Sequence, residues 1–108
     1  MTPLPVVVTR SAELAIREAS VWWAQNRPSA PAALIEELQR AFALISVQPE
    51  IGARALNTSL PGVRRVLVAR IRYYLYYRRS PSGTQVEILA LWHTSRGTGP
   101  APLGSEAR

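Results

Sequence analysis

The sequence predicts an α/β (α+β) fold: an N-terminal strand, an antiparallel two-helix hairpin, then a three-stranded antiparallel meander. Three observations carry this. Apolar residues recur at helical spacing in two windows between residues 12 and 45, and the pattern turns strand-like after residue 60. Of the 108 residues 47% are apolar, which suits one globular domain with a modest core. The expected boundaries are a single domain over residues 1–97 and a loose Gly-, Pro- and Ala-rich tail over 98–108.

Val6-Val7-Val8-Thr9 is a β-branched run and opens the fold as a paired strand. Ser11 is the expected N-cap of the first helix, with Glu13 in its first turn. Ala12, Ile16, Ala19 and Trp23 then fall at steps of four, three and four, and Leu14 and Trp22 widen that face. Pro28 stops the helix near Asn26-Arg27. A second helix follows Ser29, with Pro31 in its first turn and Leu34, Leu38, Ala41 and Ile45 inward, ending by Pro49 and Gly52. Val63–Ala69, Arg70–Arg79 and Val86–His93 read as three successive strands, with Pro81-Ser82-Gly83 as a turn. On the last of these, Val86, Ile88, Ala90 and Trp92 share one face and Leu89, Leu91 and His93 the other.

Composition excludes much chemistry. There is no Cys, so no disulfide scaffold, zinc-thiolate site, iron–sulfur cluster or thiol nucleophile. All 13 basic residues are Arg and all 7 acidic residues are Glu. Without Lys there is no Schiff base, and without Asp a Ser-His-Asp triad is impossible. One His and no Asp make a clustered metal site improbable, so neither metal nor cofactor is expected. No apolar run approaches the roughly 18 residues of a membrane span, and the N-terminal residues lack the pattern of a signal peptide. The expectation is a cytoplasmic protein without a membrane partner.

The net charge of +6 is unevenly placed. Residues 51–108 carry nine Arg against Glu87 and Glu106, while residues 1–50 are close to neutral, so the second half should attract a polyanion or an acidic peptide. On the strand Arg70–Arg79, one face holds Ile71, Tyr73, Leu75 and Tyr77 and suits packing on the helices. The other holds Arg72, Tyr74, Tyr76 and Arg78, which combine stacking surfaces, hydroxyl donors and fixed charge, as a nucleic-acid or protein interface requires. Tyrosines also fill half-buried strands, and both roles stay open for Tyr74 and Tyr76. His93 is the one side chain that titrates near neutrality; it is a candidate general acid or base, although a lone His at a strand end more often makes a structural hydrogen bond. Trp22, Trp23 and Trp92 read as core.

Several strings, taken in order, resemble the RelE/ParE superfamily of type II toxin–antitoxin toxins over about residues 5–100. Ile45–Gly52 is similar to its "L…P..G" helix exit, Val63-Arg64-Arg65 to its "vRr" strand, Tyr73–Arg78 to its "Y.l.Yr" strand, and Ile88–Arg96 to the "Il.vwH..R" ending of ParE-like members. The resemblance implies a small toxin neutralised by a cognate antitoxin protein. It offers two activities: inhibition of DNA gyrase by binding, as in ParE-type members, or ribosome-dependent cleavage of mRNA, as in RelE-type members. The chain departs from the RelE nuclease pattern. Tyr74 stands where that pattern places a catalytic arginine, its lysines are missing, and no Tyr follows Tyr77. His93 and Arg96 are the remaining candidates for catalysis, and Arg64, Arg65, Arg72, Tyr74, Tyr76, Arg78 and Arg96 for contact with target or antitoxin. The expectation is a ParE-like binder, with the endoribonuclease as the alternative.

Overall fold

One hydroxyl ties the first strand, the first helix and the last strand together. The computed structural model describes residues 2–56 and 58–96, apart from the Arg96 side chain. β1 (Val6–Val8) leads into Thr9, whose extended backbone (φ −69°, ψ 162°) precedes α1 (Arg10–Asn26). Thr9 Oγ1 accepts from the Ala12 N–H at 3.4 Å and donates to the Ile88 carbonyl at 2.8 Å. The N-cap is therefore Thr9 and not Ser11, because the residue leaving the strand already has the extended geometry that a cap needs.

α1 buries Ala12, Ala19 and Trp23, with Ile16 beside them, as the spacing predicts. Leu14 and Trp22 do not widen that face: they are 48% and 40% exposed. Successive helical residues are about 100° apart, so Trp22 and Trp23 cannot both point at one sheet. Trp23 Nε1–H donates to the Ala30 carbonyl at 2.8 Å, and the Arg27 N–H returns to the Trp23 carbonyl at 2.7 Å. These bonds hold residues 27–30 in a turn, so α2 (Ala33–Val47) starts after Pro31 rather than around it, with no side-chain cap. α2 buries Leu34, Leu38 and Ile45 on the same core as α1.

After α2 come β2 (Ala53–Arg54), β3 (Arg64–Val68), β4 (Tyr73–Arg79), β5 (Val86–His93) and a 3₁₀ turn (Thr94–Arg96). The sheet order is β1-β5-β4-β3-β2; β1 runs parallel to β5 and every other neighbouring pair is antiparallel. The predicted meander is present, and β2 is an addition that the sequence pattern did not suggest. The middle strand is shorter than expected. Arg70-Ile71-Arg72 form the β3–β4 turn, where Arg72 has φ 61° and its N–H reaches the Val68 carbonyl at 3.0 Å.

The last strand corrects the expected face assignment. Tyr76 pairs with Ala90 but Tyr77 with Ile88, so Leu89 is a bulge. An extra residue reverses the alternation beyond it. Val86, Ile88 and Leu91 join the core under the helices, while Leu89, Ala90 and Trp92 join a second apolar cluster on the opposite face. Val63, Tyr76, Tyr74, Leu60 and Ala55 belong to the same cluster. Among the described residues no helix is long and apolar enough to cross a membrane. The expected tail over 98–108 lies outside them.

Candidate functional site

Antiparallel partners point to the same side of a sheet, so the register distributes the arginines. Arg64 lies opposite Tyr77 and faces the helices, donating to the Gly52 carbonyl at 2.7 Å. Arg65 lies opposite Tyr76 on the other face, its guanidinium 4.1 Å from the centre of the Tyr74 ring and 3.5 Å from Tyr76 Oη. Arg78 shares that face but donates to Glu87, its cross-strand neighbour, at 2.8 Å. A paired and mostly buried guanidinium contributes little to an outward field. Arg72 sits in the β3–β4 turn, off the strand face assigned to it. Tyr76 is only 6% exposed, packed with Val63 and Leu89. Of the expected Arg–Tyr strip, the stacked pair Arg65–Tyr74 remains as a surface feature. Arg96 closes the 3₁₀ turn, and its side chain lies outside the described residues.

His93 stands on the helix-facing side, opposite Tyr73. Its ring meets the Tyr73 ring edge-on at 4.9 Å between centroids and the Trp22 ring at 6.2 Å. Nδ1 accepts the Ser95 N–H at 3.2 Å and lies 2.7 Å from Ser95 Oγ, which places the ring proton of the neutral form on Nε2. This is the structural hydrogen bond expected of a histidine at a strand end. His93, Trp22, Tyr73, Leu91, Ser95 and Glu18 line a cleft of about 180 Å³ between α1 and the ends of β4 and β5. Trp22 and Glu18 were not singled out from sequence as site residues. The adjacent tryptophans were the available signal, since one of two neighbours on a helix must leave the core. Among the described residues no three His or Glu side chains gather as a metal site.

A second groove, of about 280 Å³, runs between α2 and β3 and is lined by Glu37, Arg40, Leu44, Leu67, Val68 and Arg70. β2 accompanies β3 only along Arg64 and Arg65, so the groove lies past the end of β2. Leu44 is 38% exposed there, Leu67 at its edge lies opposite Tyr74 on the second sheet face, and Arg40 and Arg70 both donate to Glu37 at the margin.

Two helices on one face of a five-stranded mixed sheet, with arginines divided between both faces, make a small α+β protein. The chain belongs to the family described as ParE toxin of type II toxin–antitoxin system, parDE, whose model matches residues 6–97. A chain of the toxin–antitoxin complex RelBE2 from Mycobacterium tuberculosis is 27% identical, with 85% of this chain and 99% of that one covered at a TM-score of 0.56. The chromosomal ParDE system of P. aeruginosa aligns at 17% identity, 83% and 95% coverage and a TM-score of 0.56. A mutant of E. coli RelE in the free state aligns at 14% identity, 89% and 88% coverage and a TM-score of 0.58. The latter two show the common fold. No curated protein matches the sequence.

Proposed function

We propose that the chain is a toxin that acts in the cytoplasm by binding, with DNA gyrase as its target, and that a cognate antitoxin neutralises it. One observation carries the choice of binding over cleavage: Arg65 lies on the sheet face opposite to His93, and Arg64, on the same face as His93, stands opposite Tyr77, four residues along β4 from Tyr73, the partner of His93. Cleavage of RNA through its 2′-hydroxyl requires an acid or base and cations around one phosphate. Arg64 and Arg65 are thus not gathered with His93 around one phosphate, Arg64 donates to the Gly52 carbonyl instead, and Nδ1 of His93 is engaged by Ser95. The membership in the ParE family points the same way.

For the target, the supporting surface is the second sheet face around Arg65 and Tyr74, where a guanidinium stacked on a ring forms a rigid, positively charged anchor. For the antitoxin, the supporting surface is the α2–β3 groove, whose apolar floor and paired charges at the rim suit an inserted peptide segment. The test is induction in a host lacking the antitoxin, with mRNA 5′ ends and plasmid supercoiling followed together. Growth arrest with relaxed plasmid and intact mRNA is expected. Cuts at codon positions with normal supercoiling would overturn the reading in favour of a ribosome-dependent endoribonuclease.

A further inference from the structure

The cleft beside His93 has a chemistry of its own. α1 brings Glu18 and Trp22 to it at a spacing of four residues, hence on one helical face. β4 and β5 bring the cross-strand pair Tyr73 and His93. Three rings and one carboxylate therefore converge on about 180 Å³. That is below the roughly 300 Å³ at which pockets for small-molecule ligands begin, and it has room for the head of one side chain.

Charge decides which head. Among the described residues Glu18 is the one carboxylate or guanidinium that lines the cleft, and it has no ion-pair partner there, whereas Glu37, Glu50 and Glu87 each hold an arginine. The Trp22 ring already carries one cation, the Arg27 guanidinium 5.3 Å from its centroid, as the electron-rich face of an indole favours. Salt screens the net charge of +6 beyond about 8–10 Å. A carboxylate within the cleft acts at contact distance.

The surroundings indicate how the cation arrives. Leu14 and Val21 are 48% and 60% exposed and stand on the same stripe of α1 as Glu18, four residues before it and three after. Arg17 and Glu18, both exposed, lie between these two, and Glu18 is the one on the cleft side; apolar contacts at Leu14 and Val21 beside a carboxylate in the cleft match a partner surface that carries a cation amid apolar residues, not a free amine in solution. We propose that this cleft receives one guanidinium or alkylammonium side chain, presented by a partner protein that packs along Leu14 and Val21. The inference does not depend on the identity of the toxin's target.

The test uses the full chain, isotope-labelled, titrated with the blocked peptide Ac-Leu-Ala-Ala-Arg-Ala-Ala-Leu-NH2, with the same peptide carrying citrulline in place of arginine, and with agmatine. The arginine peptide is expected to shift the Trp22 indole and His93 ring resonances and to bind about tenfold more tightly than the citrulline peptide, the weight of one exposed ion pair plus one cation–π contact. Glu18→Gln, a surface change whose folding is checked by circular dichroism, is expected to remove about fivefold from arginine-peptide binding and nothing from citrulline-peptide binding. Equal binding of the two peptides, equal loss for both in Glu18→Gln, or no shift at Trp22 and His93 would overturn the proposal. Agmatine binding as tightly as the arginine peptide would overturn the partner-protein source and leave a free-amine site instead.

Discussion

Tyr77 Oη accepts a hydrogen bond from the Gly52 N–H at 2.8 Å, and it does so in a site where the Tyr77 side chain is wholly buried. The bond joins the exit of α2 to the centre of the sheet, and Arg64 completes it by donating to the Gly52 carbonyl at 2.7 Å. A Cβ at position 52 would stand 2.7 Å from both the Arg65 carbonyl oxygen and Tyr77 Oη. Gly52→Ala should therefore cost about 3 kcal/mol in urea unfolding. Tyr77→Phe should cost about 1–3 kcal/mol, because a buried N–H loses its acceptor.

The same burial gives the fold an alkaline limit. Desolvation raises the Tyr77 phenol above its ordinary value of 10.0, outweighing the Gly52 hydrogen bond and the Arg64 charge, which act to lower it. Below pH 10 the phenol is protonated in both folded and unfolded chains, and its contribution is fully present. Above pH 10 the unfolded chain releases the proton first, so stability falls by up to about 1.4 kcal/mol per pH unit until the folded pKa is passed. Denaturation between pH 9 and pH 11 should show this slope in the natural chain and a shallower one in Tyr77→Phe.

Arg65 and Arg78 share a sheet face but should behave differently. Arg65 rests on the Tyr74 ring near solvent, so Arg65→Ala should cost less than about 1 kcal/mol of stability while relieving growth arrest. Arg78→Ala strands the Glu87 carboxylate in a mostly buried position and should cost about 2 kcal/mol. Melting curves alongside toxicity assays separate the two. Full arrest by soluble Arg65→Ala would remove this residue from the target surface.

Arg72 sits at φ 61°, a region that non-glycine residues occupy at a cost. Arg72→Gly should be neutral to stabilising, by up to about 1 kcal/mol, a rise of a few degrees in Tm. A marked loss would mean that the Arg72 side chain supports the turn.

His93→Ala should leave growth arrest in place and lower stability by about 1 kcal/mol, through loss of the edge contact with Tyr73 and of the Ser95 hydrogen bonds. Loss of arrest in a variant that still folds would restore His93 as a catalytic candidate.

Local periodicity was enough to place the inner stripe of α1 at Ala12, Ile16, Ala19 and Trp23, that of α2 at Leu34, Leu38 and Ile45, and the buried face of β4 at Tyr73, Leu75 and Tyr77. Each pattern is complete within a dozen consecutive residues, and burying a stripe on one side demands only that spacing. The candidate site was legible only in part. Arg65 and Tyr74 could be named from sequence, but their stacking, the shielding of Tyr76 by Val63 and Leu89, and the pairing of Arg78 with Glu87 could not.

What tertiary structure alone decided has one physical source: contacts between distant segments. Thr9 is the cap of α1 because the strand it leaves pairs with β5, 79 residues away at Ile88. Arg72 left the strand because β3 and β4 turn tightly at Ala69–Arg72. The bulge at Leu89 turned Trp92 to the second face and left His93 and Leu91 on the first, beside α1. A strand pattern sets which residues alternate, but a one-residue slip in pairing reverses what faces what, and only the packed sheet determines where that slip falls.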